Sequence, residues 1–202
     1  RSRQVTGVQT CALPISWRSP RPSASAATTP AWPSGRSAVA AMREPIVITG
    51  IGAVTPIGVG VPTYWDSLVR GVCGIGEIGQ IDTSSLPIHR AAEVREFHPK
   101  DFMPTRLVLD MESYAQYAYA AAQEAILQAG LSGSDRVGIV MGTALHGVGI
   151  LGRTQAHLDL DGKTAEPKLL TKCMGNVAAC QFSILHHITG PILFSHSWVS
   201  RV

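Results

Sequence analysis

The stretch Arg43-Glu-Pro-Ile-Val-Ile-Thr-Gly-Ile-Gly-Ala-Val-Thr-Pro-Ile-Gly58 decides how this chain folds. Ile46-Val-Ile-Thr49 is a short β-branched run of the kind that fills a buried strand. It breaks into Gly50–Gly58, where Gly and Pro alternate with apolar residues and mark a tight, closely packed turn.

Working outward toward the C-terminus, Thr63–Val69 has the pattern of a short helix. Thr63 is a candidate N-cap with Asp66 three residues on, Trp65, Leu68 and Val69 share a face, and Gly71 ends the run. Residues 72–105 are punctuated by Gly and Pro and predict loops with short strands. Met111–Ala129 is Ala-rich and predicts a long helix, with Asp110 as its candidate cap and Gly130 as its stop.

Arg136-Val-Gly-Ile-Val-Met141 predicts a second buried strand, opening into Gly142-Thr-Ala-Leu-His-Gly147. Residues 153–168 are polar. Leu169–Ile188 predicts one further helix, with Leu170, Met174, Val177, Ile184 and Ile188 apolar, closed by Gly190-Pro191. Strand, helix, strand and helix in this order favour an α/β domain with a mainly parallel sheet.

Toward the N-terminus the text changes character. Residues 1–41 hold five Arg and no acid, so the formal net charge of +3 belongs to them. From Met42 onward the balance is about −2, and no basic stripe remains to suggest a nucleic-acid partner. Val5–Ile15 resembles the conceptual translation of a short-read sequencing adaptor, and Ser16–Ala41 has no hydrophobic period. An organelle transit peptide or a disordered tail are the other readings of this composition. Met42 is a plausible start of the folded body. No apolar run reaches the roughly 18 residues a membrane span needs.

The four Cys (Cys11, Cys73, Cys173 and Cys180) form no CxxC pair, which fits scattered thiols in an intracellular protein. Cys180 and His187, seven residues apart, could share a helix face, but zinc sites rarely use that spacing and a mid-helix Cys gains nothing from the helix dipole. A buried structural thiol is the plainer expectation. Gly147-Val-Gly-Ile-Leu-Gly152 fits G-x-G-x-x-G after a predicted strand, so a dinucleotide-binding module stays open as an alternative. No continuous helix with an acid at the right distance is evident behind it, and a packed glycine turn is favoured.

Taken in order, these pieces resemble the β-ketoacyl synthases (ketosynthases) of fatty-acid and polyketide synthesis, specifically the N-terminal half of a type II-like synthase. Arg43–Gly58 is similar to the family's opening strand and turn, and Tyr64–Gly71 with Gly74-Ile75 to its first helix. Tyr114–Ala118, Val137–Gly142 and Gly175–Ala179 with Gln181, Ser183-Ile184 and Gly190-Pro191 supply the rest. The resemblance implies a thiolase-like fold, of which this chain would carry the first half over residues 42–191. It also implies an acyltransferase that extends acyl thioesters with malonyl units on acyl carrier protein, a homodimer, no cofactor or metal, and a cytoplasmic location.

The same resemblance places Leu145 where the family often lines its acyl pocket, an ordinary core leucine being the plainer reading. His146 stands where the family commonly has Gly, and a surface or turn histidine is expected. Counting on from Gly190 without gaps places the family's nucleophilic cysteine at Val199, which has no nucleophilic atom, and the family's two His come from its second half. No catalytic residue is therefore expected within this chain. Residues 192–202 are expected to be a divergent or frameshifted end. A non-catalytic partner subunit of the chain-length-factor type is the alternative.

Overall fold

The computed structural model describes residues 10–12, 47–162, 164, 165 and 167–196. Its elements run β1 (Thr10–Ala12), β2 (Gly52–Thr55), β3 (Gly58–Val59), α1 (Val61–Val69), β4 (Ile75–Glu77), β5 (Arg90–Ala92), a 3₁₀ turn at Pro99–Asp101, α2 (Thr105–Asp110), α3 (Ser113–Ala129), β6 (Ile139–Thr143), α4 (Val148–Asp161), α5 (Leu169–Cys173), α6 (Val177–His186) and β7 (Ile192–His196). Helices and sheets thus mix along the chain in the expected α/β manner, but the sheet is not mainly parallel: among the described residues only the β6–β7 pairing is parallel, and the other three pairings are antiparallel.

β2–β3 and β4–β5 are local pairings, whereas β1–β2 and β6–β7 join segments distant in sequence. β2 and β3 form an antiparallel hairpin around Pro56-Ile57, and β4 pairs antiparallel with β5. A connection as short as Pro56-Ile57 permits only antiparallel pairing. β6 and β7 run parallel, with Ile139 opposite Ile192 and Thr143 opposite His196, and α4 to α6 supply the crossover. Thr10–Ala12, within the adaptor-like stretch Val5–Ile15, pair antiparallel with Gly52–Val54.

The first strand lies further along than the β-branched run predicts. Val47 and Ile48 are 59% and 69% exposed and belong to no strand, while Ala53, Val54 and Thr55 are buried. The glycines explain the shift. A Cβ on Gly52 would stand 1.9 Å from the Ala121 carbonyl oxygen, and one on Gly50 would stand 2.1 Å from that of Ala125. This segment therefore lies directly on the α3 backbone, and α3 answers with alanines one turn apart, both fully buried.

α3 is the central element. On one side it meets β2 through Ala120 and Ala121, with Val54 between them. On the other its Tyr114, Ala118, Tyr119 and Ile126 pack with Val177, Ala178 and Phe182 of α6. Tyr119 and Phe182 meet edge-on with ring centroids 5.5 Å apart, a geometry worth about 1 kcal/mol beyond area burial. Gly130 ends the helix in the left-handed conformation, as expected.

Both predicted caps differ from the observed ones. Asp110 is the last residue of α2 rather than the cap of α3, and its carboxylate meets Lys168 Nζ at 2.7 Å. That hydrogen bond holds the Asp110 carboxyl below its usual range. Between the two helices Met111 is extended, and Gln116 Nε2 donates to the carbonyls of Val108 and Met111, which the helix break would otherwise leave unpaired. α1 starts at Val61 behind Gly60, so Thr63 lies inside it. Its first N–H goes to Glu124 on α3 at 2.7 Å.

Two other expectations are corrected. The polar stretch beginning at Arg153 lies largely within α4, a helix with only Ile150 and Thr154 buried; its polarity is that of an exposed helix. The helix expected over Leu169–Ile188 is two helices, α5 and α6, parted at Met174–Asn176.

Candidate functional site

In a parallel sheet the chain leaves every strand on the same side, and ligands gather beyond those carboxyl ends. Here that edge is formed by β6 and β7. β6 runs out through Thr143 into the loop Ala144–Gly147, which turns into α4, while the residues after His196 lie outside the described part. The expected nucleophile position, Val199, is among them.

The β6–α4 loop is fastened from behind. His146 Nδ1 lies 2.7 Å from the Cys173 carbonyl oxygen, which can only accept, so Nδ1 carries the proton. Gly147 is left-handed, and a Cβ on it would stand 2.6 Å from the Cys173 Cα. Tyr114, from α3, donates its hydroxyl to the Met174 carbonyl at 2.6 Å and lies 3.3 Å from that of Lys172. Three successive carbonyls at the exit of α5, from Lys172 to Met174, are thus met by two side chains. Burial, then the nearby Glu112 and Cys173, push the Tyr114 hydroxyl well above its ordinary range, so it stays a neutral donor.

His146 lies in the turn between β6 and α4, as one of its two expected readings has it, and is half-buried there. Its ring lies 6.3 Å from that of Tyr114 and 6.0 Å, edge-on, from that of Phe194 on β7. Gly175 lies beneath it. A Cβ there would be 2.7 Å from His146 Cδ2 and 2.4 Å from Phe194 Cζ, so the break between α5 and α6 falls where two rings need the space.

Leu145 faces the other way. It is 46% exposed, so it is not the core leucine of the plainer reading, and Thr143 Oγ1 donates to its carbonyl at 3.2 Å. Val148 and Leu151, following at helical spacing on α4, are exposed as well. Leu145, in the loop, and Val148 and Leu151, on the first turns of α4, are thus each apolar side chains open to solvent. A separate cleft of about 550 Å³ lies between the α2–α3 junction and α4. It is lined by Met111, Ile150 and Thr154 and by Arg153, which pairs with Glu112 at 3.1 Å. Leu145 does not line it.

The other sequence candidates are not brought together. α6 ends at His186 and His187 is left-handed at its C-cap, so Cys180 and His187 share no helix face. Burial, then neighbouring Glu112, raise the Cys173 thiol above its ordinary range, the reverse of what a nucleophile needs. The G-x-G-x-x-G run is neither a packed glycine turn nor a loop ahead of a helix: Gly147 is the N-cap of α4 and Val148–Gly152 lie within it, while Cys173 closes the space beside Gly147. Among the described residues, no three His, Cys, Asp or Glu cluster in a way that could hold a metal ion.

The His146–Cys173 fastening was not foreseeable from sequence. A lone His in a glycine-bounded loop carries no signal of a carbonyl 27 residues on.

Comparison with known proteins assigns this arrangement. Residues 43–199 match the family model described as "Beta-ketoacyl synthase, N-terminal domain". The chain is 32% identical over 151 residues to 3-oxoacyl-[acyl-carrier-protein] synthase 2 of Staphylococcus aureus (strain COL), covering 72% of this chain and 36% of that protein. It spans little more than a third of the length of the curated relatives it matches. Among solved structures it superposes on the ishigamide ketosynthase/chain length factor with a TM-score of 0.63 at 26% identity, over 73% of this chain and 38% of that one. It also superposes on AntDE:AntF, a type II polyketide synthase acyl-carrier protein in complex with its ketosynthase, with a TM-score of 0.58 over 72% and 40%. At 20% identity the latter likeness concerns the fold.

Proposed function

The chain belongs to the β-ketoacyl synthase family, through that family's N-terminal domain and its thiolase-like α/β fold, and on that premise we propose that it forms the acyl-facing N-terminal part of a decarboxylating condensing enzyme. In such a reaction an acyl group is held as a thioester on a cysteine. A malonyl thioester on acyl carrier protein loses CO2, its α-carbon attacks the acyl carbonyl, the new C–C bond forms, and the C–S bond breaks to release the thiolate. Backbone N–H donors must meet the oxyanion formed on the way.

The observation that carries this reading is the match over residues 43–199, within which the only parallel strand pair among the described residues sets Leu145 at its carboxyl edge. Leu145, with Val148 and Leu151 behind it, would take the alkyl part of the substrate. The domain is read as residues 42–191. Acyl carrier protein is the proposed partner, a homodimer the proposed assembly and the cytoplasm the proposed location; among the described residues no helix is long and apolar enough to cross a membrane.

Val199 offers no thiol, so this chain is read as holding acyl chains without forming an acyl-enzyme. Incubation with radiolabelled acyl-acyl carrier protein should give a complex that denaturation disperses. A covalent label released by neutral hydroxylamine would overturn the reading.

A partner subunit of the chain-length-factor type is the second reading, supported by the likeness to the ishigamide ketosynthase/chain length factor. It predicts that adding this chain to an active synthase changes product length, whereas the first reading predicts no change.

A further inference from the structure

The cleft between the α2–α3 junction and α4 is apart from Leu145, and its chemistry is mixed. Leu109, Met111 and Ile150 give it an apolar wall. Arg153 and Lys172 bring two permanent positive charges against the single negative charge of Glu112, while His157 is engaged by Asp161 at 2.9 Å. At about 550 Å³ the cleft has the volume of a small-molecule site.

We propose that this cleft binds a small carboxylate with an apolar body, the carboxylate being held by Arg153, Thr154 and the start of α3. The site is separate from the proposed acyl contact at Leu145 and does not depend on it.

Three observations support it. Thr154 lines the cleft and is only 9% exposed, yet its hydroxyl has no hydrogen-bond partner among the described residues. A buried hydroxyl left unpaired is costly, so one at a cleft wall is placed to meet a ligand oxygen. Arg153 gives Glu112 Oε1 only its Nη2, at 3.1 Å. The planar guanidinium has five N–H donors and can take a second carboxylate beside the first.

The third observation is the start of α3, a helix of 17 residues whose N-cap, Glu112, makes no side-chain capping hydrogen bond. The Glu112 carbonyl accepts the N–H groups of Ala115 and Gln116, which leaves those of Ser113 and Tyr114 as donors at the positive end of the helix. The apolar wall suits the rest of the ligand. Leu109 is 66% exposed, surface that an alkyl group would cover, and Gln116 fixes the adjoining backbone through the carbonyls of Val108 and Met111.

The test is calorimetric titration of the full chain with sodium octanoate, octanamide and inorganic phosphate. Octanoate should bind roughly tenfold more tightly than octanamide, which keeps the body and loses the charge. It should also bind more tightly than phosphate, which has no apolar body. Thr154→Val and Arg153→Gln should each weaken octanoate roughly tenfold, whereas Thr154→Ser, which keeps the hydroxyl, should bind as the wild type does. Far-UV circular dichroism confirms that each variant compared is folded. Where Thr154→Val does not fold, Arg153→Gln decides, since that side chain is exposed.

The assignment would be overturned by octanoate binding that is absent, matched by octanamide or phosphate, or unchanged in folded Thr154→Val and Arg153→Gln proteins. An affinity that falls with Leu145→Asn instead would move octanoate to the proposed acyl contact and remove it from the cleft.

Discussion

Glu124, in the middle of α3, caps α1 from across the fold: one carboxylate oxygen accepts the Val61 N–H at 2.7 Å and the other the Ala53 N–H at 3.1 Å. Val61 opens α1, whose own N-cap, Gly60, has no side chain to offer. A carboxylate here satisfies an orphan donor and lies at the positive end of the helix. Glu124→Ala should therefore cost about 1–3 kcal/mol, since two backbone donors lose their acceptor. Urea titration followed by circular dichroism would measure it. Glu124→Gln, which keeps one acceptor oxygen, should lose less; equal losses for the two variants would contradict the capping role.

The glycines of the opening segment give a second prediction. Gly52→Ala places a methyl 1.9 Å from a backbone oxygen on a rigid helix, so β2 must move off α3. A cost of about 1–3 kcal/mol or more is expected. Gly142→Ala is the control, because a Cβ there meets nothing within 4 Å, and its melting temperature should be close to that of the wild type.

Acid should weaken the fold through His186. Its ring lies 4.2 Å from that of Phe182, its Nε2 is buried without a hydrogen-bond partner, and burial, then His187, lower its pKa. The unfolded chain thus binds the proton more readily than the folded one. Stability is whole above the ordinary histidine value of about 6.5 and falls as pH drops through it. The urea midpoint should decrease between pH 7.5 and 5.5, and His186→Leu should flatten that dependence. An unchanged slope in the variant would assign the titration elsewhere.

Unpartnered apolar surface on β6 and β7 predicts self-association. Val140 is 73% and Leu193 60% exposed, yet parallel strands are normally covered on both faces. The chain should bind a dye specific for apolar surface and sediment as more than a monomer. Val140→Thr with Leu193→Thr should reduce both signals. A wild-type monomer with no dye binding would refute this.

The sequence was most legible where structure is local. α3 and its glycine stop follow from composition, and a strand near Gly142 follows from a β-branched run, although that strand is Ile139–Thr143 and is not the buried one expected, Val140 being 73% exposed. What depended on distant partners was not legible. Glu124 is separated by 71 residues from Ala53, so Thr63 looked the better cap for α1. Asp110 has the chemistry of a cap but is drawn to Lys168, 58 residues away. α4 was hidden because an exposed helix lacks the apolar stripe that marks a buried one. The apparently continuous helix over Leu169–Ile188 breaks at Gly175 because His146 and Phe194, both remote in sequence, occupy the space a regular turn would use. At the candidate site, family resemblance pointed to Leu145 as a proposed acyl contact, whereas nothing in the sequence pointed to the fastening of its loop by His146, Tyr114 and Cys173.

The long reach of Glu124 has a consequence for biosynthesis. The β2–β3 hairpin and the start of α1 leave the ribosome well before the carboxylate that anchors them has been made. At roughly 5–20 residues per second, that interval lasts several seconds. A nascent chain holding only the hairpin and α1 would thus be open to chaperones and proteases, and completion of α3 would close that window.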